Sequence, residues 1–299
     1  MDTSPPSVNY AVRDRDFKYY IFDWDDNILH MPTRIHLEAL QPDGTWAPHQ
    51  VSTSLFSVIR TDTEHYRPPG GDWKEAFIEF RTAGDPIFLE DTRRALLEAK
   101  QDPASVGPSF KTFRQTLVEG RIFAIVTARG HAPETIRQAV IEFIDIVLTP
   151  EERAEMMANL RGYRACFDHV SKFGTDEQEL DYYLGLNRYH PVTSPDFAEK
   201  LNSGRPLYGN AEEGKRVAIR DFVEHVVRVV GRTAPGERRP FSIGFSDDDP
   251  RNVAAVQAYI ERELSIHFPS IKFCVYDTSD ASLPNGRKVV VSGQLDFGF

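Results

Sequence analysis

Cysteine is scarce in this chain. Only Cys166 and Cys274 occur in 299 residues, far apart and in no metal-ligand spacing. Neither a disulfide framework nor a zinc site is expected, and a reducing compartment fits. Long apolar runs are missing too: none approaches the roughly 20 residues that span a bilayer. The opening MDTSPPSVNY lacks a basic apolar signal region. These absences predict a soluble, cytoplasmic protein with no membrane partner. No Gly-x4-Gly-Lys-[Ser/Thr] stretch occurs, which excludes a P-loop nucleotide enzyme. Basic charge is in deficit, with 35 Lys+Arg against 45 Asp+Glu and a formal net charge of -10. That balance disfavours a phosphate backbone, so nucleic acid is a poor partner, although a local basic groove stays open.

What is present is an ordinary globular composition, 40% hydrophobic and 27% charged. It suffices for one large domain or a core with an appendage. Residues 1–13 read as a loose leader, followed by a strand at Tyr19–Phe22. Two extended segments then flank Pro42-Asp43-Gly44, which predicts a hairpin. From Ser54 to about Lys100 the pattern turns helical, with Asp72 as an N-cap and Trp73, Phe77 and Phe80 on one core-facing side.

A rhythm follows. SFKTFRQTLVEG is a helix stopping at Gly120, RIFAIVT a strand ending at Thr127, and PETIRQAVIEF a helix opening at Pro133. IDIVLT is expected as a third strand. Residues 150–205 interrupt with helical and aromatic-rich sequence. Then come the helix GKRVAIRDFVEHVVRVV, the strand FSIGFS, the helix PRNVAAVQAYIEREL, the strand IKFCVYD and a last short run, RKVVVSG. Apolar runs alternating with helices predict a parallel sheet covered on both faces, an α/β core. There are no internal repeats. Two inserts interrupt the core, one after strand one and one after strand three.

Polar groups collect where these strands end, the place where open parallel sheets bind ligands. KYYIFDWDDNILH runs from strand character into Asp23, Asp25 and Asp26 within four positions. The strand from Arg121 ends in Thr127-Ala128-Arg129-Gly130, and the strand from Phe241 in Asp247-Asp248-Asp249. Residues two apart on extended chain point the same way, so Asp23 and Asp25 can face the crevice while Trp24 faces away. With one or two acids from Asp247 and Asp248, they make an all-oxygen site for a hard cation, best matched by Mg2+. Such an ion would offset the repulsion and leave one acid free for chemistry. The plainer readings are a solvated strand end at Asp23–Asp26 and helix capping before Pro250. Asp249 is assigned to capping.

The order of these strand ends resembles the haloacid dehalogenase-like (HAD) superfamily of phosphohydrolases. Its first motif, an apolar strand followed by Asp-x-Asp, stands here as YYIFDWDDN, and its second, a strand ending in Thr or Ser, as IFAIVTARG. The third, a Lys near a helix start, is matched by Lys215 in GKRVAIRDF, and the fourth, paired acids after a strand, by FSIGFSDDDPRN. Lys172 and Lys200 are the other lysine candidates; Lys215 is preferred because its helix leads into the fourth-motif strand. Asn27 departs from the family's usual Thr or Val. The resemblance covers residues 14–32, 110–149 and 206–278. It implies a Rossmannoid three-layer sandwich with a central parallel sheet, a flap or cap insert at 33–109, a second insert at 150–205 and a tail at 279–299.

Chemically, the resemblance implies an Mg2+-dependent phosphatase acting on a small phosphorylated substrate through an aspartyl phosphate. Asp23 would be the nucleophile, and Asp25 the acid toward the leaving oxygen, then the base toward water. An acid at position 25 argues for phosphoryl transfer rather than dehalogenation. Metal ligands would be Asp23, the Asp25 main-chain carbonyl and Asp247 or Asp248. Lys215 would add positive charge, and Thr127 with the amides of Ala128 and Arg129 would cradle phosphate oxygens. The Arg129 side chain is either a substrate contact or a surface arginine. The hairpin near Thr33 is a candidate flap, and Tyr182–Phe197 a candidate substrate wall. Two other readings stay open: a phosphate- or metal-binding module without turnover, and a phosphotransferase or nucleic-acid end phosphatase.

Overall fold

Side chains alternate across the expected strands, and the sheet follows from that alternation. The computed structural model describes residues 17–102, 104–166, 174–200, 211–231, 241–280, 283 and 286–292. The expected leader at 1–13 and Lys172 lie outside them. The strands are β1 (Phe17–Phe22), β2 (Ile35–Leu40), β3 (Trp46–Val51), β4 (Tyr66–Arg67), β5 (Phe123–Thr127), β6 (Arg188–Pro191), β7 (Phe241–Asp247), β8 (Lys272–Asp277) and β9 (Arg287–Ser292). The helices are α1 (Thr53–Ile59), α2 (Trp73–Ala76), α3 (Asp85–Gln101), α4 (Phe110–Val118), α5 (Pro133–Val147), α6 (Pro150–Cys166), α7 (Asp176–Leu186), α8 (Pro195–Lys200), α9 (Ala211–Val230) and α10 (Pro250–Tyr259), with shorter turns between.

The central sheet has six strands in the order β6-β5-β1-β7-β8-β9, all parallel except the edge strand β9. Tyr20, Phe22, Phe123 and Ile125 face one side, against Phe88 and Leu96 of α3, Phe113 of α4, Phe143 of α5 and Met156 of α6. Tyr19, Ile21, Val126, Ile243 and Phe245 face the other, against Ile219, Phe222 and Val226 of α9 and Val253 and Val256 of α10. Each large side chain buried this way contributes about 1.5–3 kcal/mol. Helices therefore flank a mostly parallel sheet in a Rossmann-like sandwich. No helix among the described residues is long and apolar enough to cross a membrane.

Two strand assignments need correction. IDIVLT is not a strand; its first residues finish α5. Ile136, Val140, Phe143 and Ile144 recur at helical spacing and are all buried, a stripe that only a helix lines up. The third parallel strand is instead β6, inside the segment expected as the second insert. Its four residues, RYHP, offer no apolar run to read.

After β1, the chain builds a second antiparallel sheet in the order β3-β2-β4. The β2–β3 hairpin turns at Gly44, whose φ of 82° lies in the left-handed region. Ile35, Leu37, Val51, Ala76 and Phe80 give this sheet a small core of its own. The helical run expected from Ser54 is broken by β4 and by Pro68-Pro69-Gly70-Gly71 before α2, which Asp72 caps by accepting from the Lys74 amide. Helix α3, expected in the insert, packs on the main core instead.

Candidate active site

Strand β1 lies between β5 and β7, so the residues just beyond these three strands share one edge. Carboxylate oxygens of Asp23, Asp247 and Asp248 come within 4.8 Å of one another there. From α9, Lys215 donates its Nζ to Asp247 Oδ2 at 2.5 Å and stands 3.4 Å from Asp23 Oδ1. Asp247 is held in place: its Oδ1 also accepts from the Asp249 amide at 3.0 Å and from Asn252 Nδ2 at 3.1 Å, which leaves a lone pair on Oδ2. Asp23 Oδ1 is buried and accepts no hydrogen bond.

Three ionised carboxylates against one ammonium would carry excess negative charge, and the folded chain raises two of them. Burial raises Asp23 well above the carboxylate range; Lys215 opposes this, while Asp247, Asp248 and Asp25 add to it. Burial, then Asp247 and Asp26, push Asp248 up to about 8. Burial alone would lower Lys215, but Asp23 and Asp247 outweigh it and hold the ammonium above its usual range. The arrangement fits a divalent cation on three counts. The donors are all oxygens, one buried carboxylate oxygen has no hydrogen-bond donor, and a cation there would let the two raised carboxylates ionise.

Asp25 departs from expectation. Its carboxylate is not in this cluster, because both oxygens accept from Arg129, Oδ2 from Nε at 2.8 Å and Oδ1 from Nη2 at 2.6 Å. Arg129 is correspondingly no surface arginine: the whole residue is buried. The third acid, Asp26, turns with a φ of 53° and accepts from Thr53 Oγ1 at 2.6 Å and Ser54 Oγ at 3.1 Å. His30 Nδ1 stands 2.9 Å from it. Burial would raise Asp26, but the bonds from His30 and Thr53 outweigh it and hold the carboxyl low. Each acid of DWDD therefore has its own partner.

Asn27 fixes this loop. Its buried amide donates to Asp23 O at 3.0 Å, Ser246 O at 3.2 Å and Ser246 Oγ at 3.1 Å. Its carbonyl accepts from Ser109 Oγ at 2.8 Å and Thr278 Oγ1 at 2.9 Å. Nothing in the local pattern signals this role, because all its side-chain partners beyond Asp23 are distant in sequence. Thr127 is buried at the end of β5, and its Oγ1 accepts from the Arg129 amide at 3.3 Å. The Arg129 amide is thus engaged locally, and α5 begins only at Pro133. Lys200 closes α8.

The insert of β2–β4 and α1 bridges the edge. On one side, α1 holds Asp26 through Thr53 and Ser54, Arg60 pairs with Asp249 at 3.5 Å, and Arg251 Nη2 donates to Ser57 O at 3.3 Å. On the other, Gly130 N donates to Phe80 O at 2.7 Å. Asp249 also caps α10 as expected, accepting from the Arg251 amide. The candidate wall at Tyr182–Phe197 is not at this edge as a unit. Tyr183 is buried against Phe123 with its hydroxyl donating to Arg121 O, at the opposite end of β5, and Phe197 is core.

Comparison of the chain with protein-family models, with curated proteins and with solved structures finds no match.

Proposed function

We propose that the chain is an HAD-like, Mg2+-dependent phosphohydrolase that cleaves a phosphate monoester through an aspartyl phosphate on Asp23. The observation that carries this reading is the convergence of Asp23, Asp247, Asp248 and Lys215 at the ends of β1 and β7. Asp23 is the nucleophile in this reading, its carboxylate standing beside Lys215 and the other two acids. Its bond to phosphorus forms as the ester P–O bond breaks, and the leaving oxygen takes a proton from Asp25. Water then attacks the same phosphorus, Asp25 takes its proton, and the Asp23–phosphorus bond breaks to release phosphate. Lys215 offsets negative charge beside the nucleophile throughout. Bound by Asp23, Asp247 and Asp248, Mg2+ would supply the charge compensation that keeps Asp23 ionised and steadies the transferring group.

A second reading, a binding module without turnover, is favoured by one observation: both oxygens of the Asp25 carboxylate are engaged by Arg129. Hydrolysis of an aryl phosphate by the wild type and Asp23→Asn, each with Mg2+ and with chelator, tests the two. Metal-dependent turnover in the wild type, reduced at least about a thousandfold in the variant, is expected. Metal binding without turnover would move the module reading to the front.

A further inference from the structure

Arg129 lies two residues past β5 with a side chain only 1% exposed. A guanidinium has five N–H donors. Four are engaged: two on Asp25, one from Nη2 to Thr33 Oγ1 at 3.0 Å, and one from Nη1 to His131 Nε2 at 3.2 Å. Since His131 accepts at Nε2, its proton sits on Nδ1 and is donated to Asp85 Oδ1 at 2.7 Å. Burial and the Arg129 charge push His131 down to about 3, which keeps it neutral in this arrangement. Thr33 passes its own proton on to Asp91 Oδ2 at 3.1 Å. The rings of Phe80 and Phe88 cover the guanidinium, their centroids 4.5 and 4.6 Å from its central carbon.

These supports come from two sides. Phe88, Asp85 and Asp91 belong to α3, which packs on the main core. Phe80 belongs to the small core of the inserted sheet, whose first strand begins two residues after Thr33. The Gly130 amide, next to Arg129, donates to Phe80 O. A shift of the flap would therefore move two of the groups that hold the guanidinium. A carboxylate has about four lone-pair sites and Arg129 takes one on each oxygen, so Asp25 can meet a substrate only from the directions that the fork leaves open.

We infer that Arg129 is a positioning residue for Asp25, tying the direction of that carboxylate to the seating of the flap. The inference rests on the acid/base role proposed above for Asp25.

Two esters separate this role from a merely structural one. The leaving group of p-nitrophenyl phosphate departs without a proton, whereas that of phenyl phosphate gains from one. In Arg129→Gln and in Phe80→Ala, kcat/KM, which ends with the step that expels the leaving group, should fall at least about tenfold further for phenyl phosphate than for p-nitrophenyl phosphate, whereas kcat also contains the water step common to both. Arg129→Lys, which keeps the charge but not the fork, should recover only part of the loss. Equal losses of kcat/KM on both esters would overturn the inference; melting curves check that each variant folds. If the wild type hydrolysed neither ester, the phosphatase reading itself would fail. The tie would then be read from the NMR signal of the Arg129 Nε–H. Slow solvent exchange in the wild type that becomes fast in Asp25→Asn and Phe80→Ala supports it, and unchanged exchange overturns it.

Discussion

Lys215 Nζ stands 2.5 Å from Asp247 Oδ2, a buried ammonium against a buried carboxylate. Together with the 3.4 Å approach to Asp23, this pair ties α9 to the ends of both β7 and β1. Desolvation of the two charges offsets much of their attraction, so the pair adds little net stability. Removing one side is another matter, because the remaining charge is then buried alone.

Lys215→Met should accordingly destabilise the chain by about 3–5 kcal/mol in the presence of chelator. Mg2+ should return part of that loss, since a cation bound by Asp23 and Asp247 stabilises the folded state by mass action. Urea unfolding of the wild type and the variant, with and without Mg2+, measures both. A loss below about 1 kcal/mol would mean that the carboxylates are solvated or protonated rather than buried as charges.

Stability should also depend on pH in a specific direction. An unfolded Asp titrates near 3.9, whereas folded Asp248 is pushed up to about 8 by burial, Asp247 and Asp26. Between those values the folded chain binds more protons than the unfolded one. The contribution of Asp248 is therefore full below about pH 4 and is lost as the pH rises through about 8. Asp23, also raised, acts in the same sense. In chelator, Tm should decline between pH 5 and pH 8.5 more steeply in the wild type than in Asp248→Asn. Saturating Mg2+ should shrink that difference, because the ion selects deprotonated carboxylates. Parallel Tm profiles for the two proteins in chelator would remove Asp248 as the source.

Legibility in the sequence followed how local each cause was. β1, β5, β7 and β8 announce themselves because continuous apolar runs bounded by helices have one sensible solution. IDIVLT misled because six apolar-rich residues satisfy a strand and the last turns of a helix alike, and only the buried partners of Ile136 and Val140 decide between them. RYHP stayed hidden because its neighbour β5 supplies most of the apolar character at that edge. At the site, strand ends put Asp23, Asp247 and Asp248 on one edge, and Lys215, preferred because its helix leads into the strand of Asp247, reaches that edge from α9. The direction of each side chain was not legible. Asp25 is aimed by an arginine 104 residues away, and Asn27 by Ser246 and Thr278 across the sheet. Spacing within DWDDN carries no information about either.

Asn27 offers the sharpest test of that last point. Its amide and carbonyl together serve the end of β7, the residue after β8 and a helix start, through Ser246, Thr278 and Ser109, while also bonding Asp23 O. Asn27→Thr introduces the residue usual at this position in the superfamily that the sequence resembles. A threonine hydroxyl has one donor and a shorter reach, so it cannot serve both sets of partners. Buried polar groups left without partners each cost about 1–3 kcal/mol, which puts the expected loss at about 2–4 kcal/mol. Asn27→Asp should be no better, because it sets a carboxylate against the carbonyls of Asp23 and Ser246. Either variant should also weaken Mg2+ binding, since Asp23 and Asp247 adjoin the backbone that Asn27 holds. Urea unfolding and titration with the metal read the two effects separately. A loss below about 1 kcal/mol with unchanged Mg2+ affinity would mean that the loop is held by its own backbone bonds, such as Ile28 N to Trp24 O at 3.0 Å, and that Asn27 is dispensable.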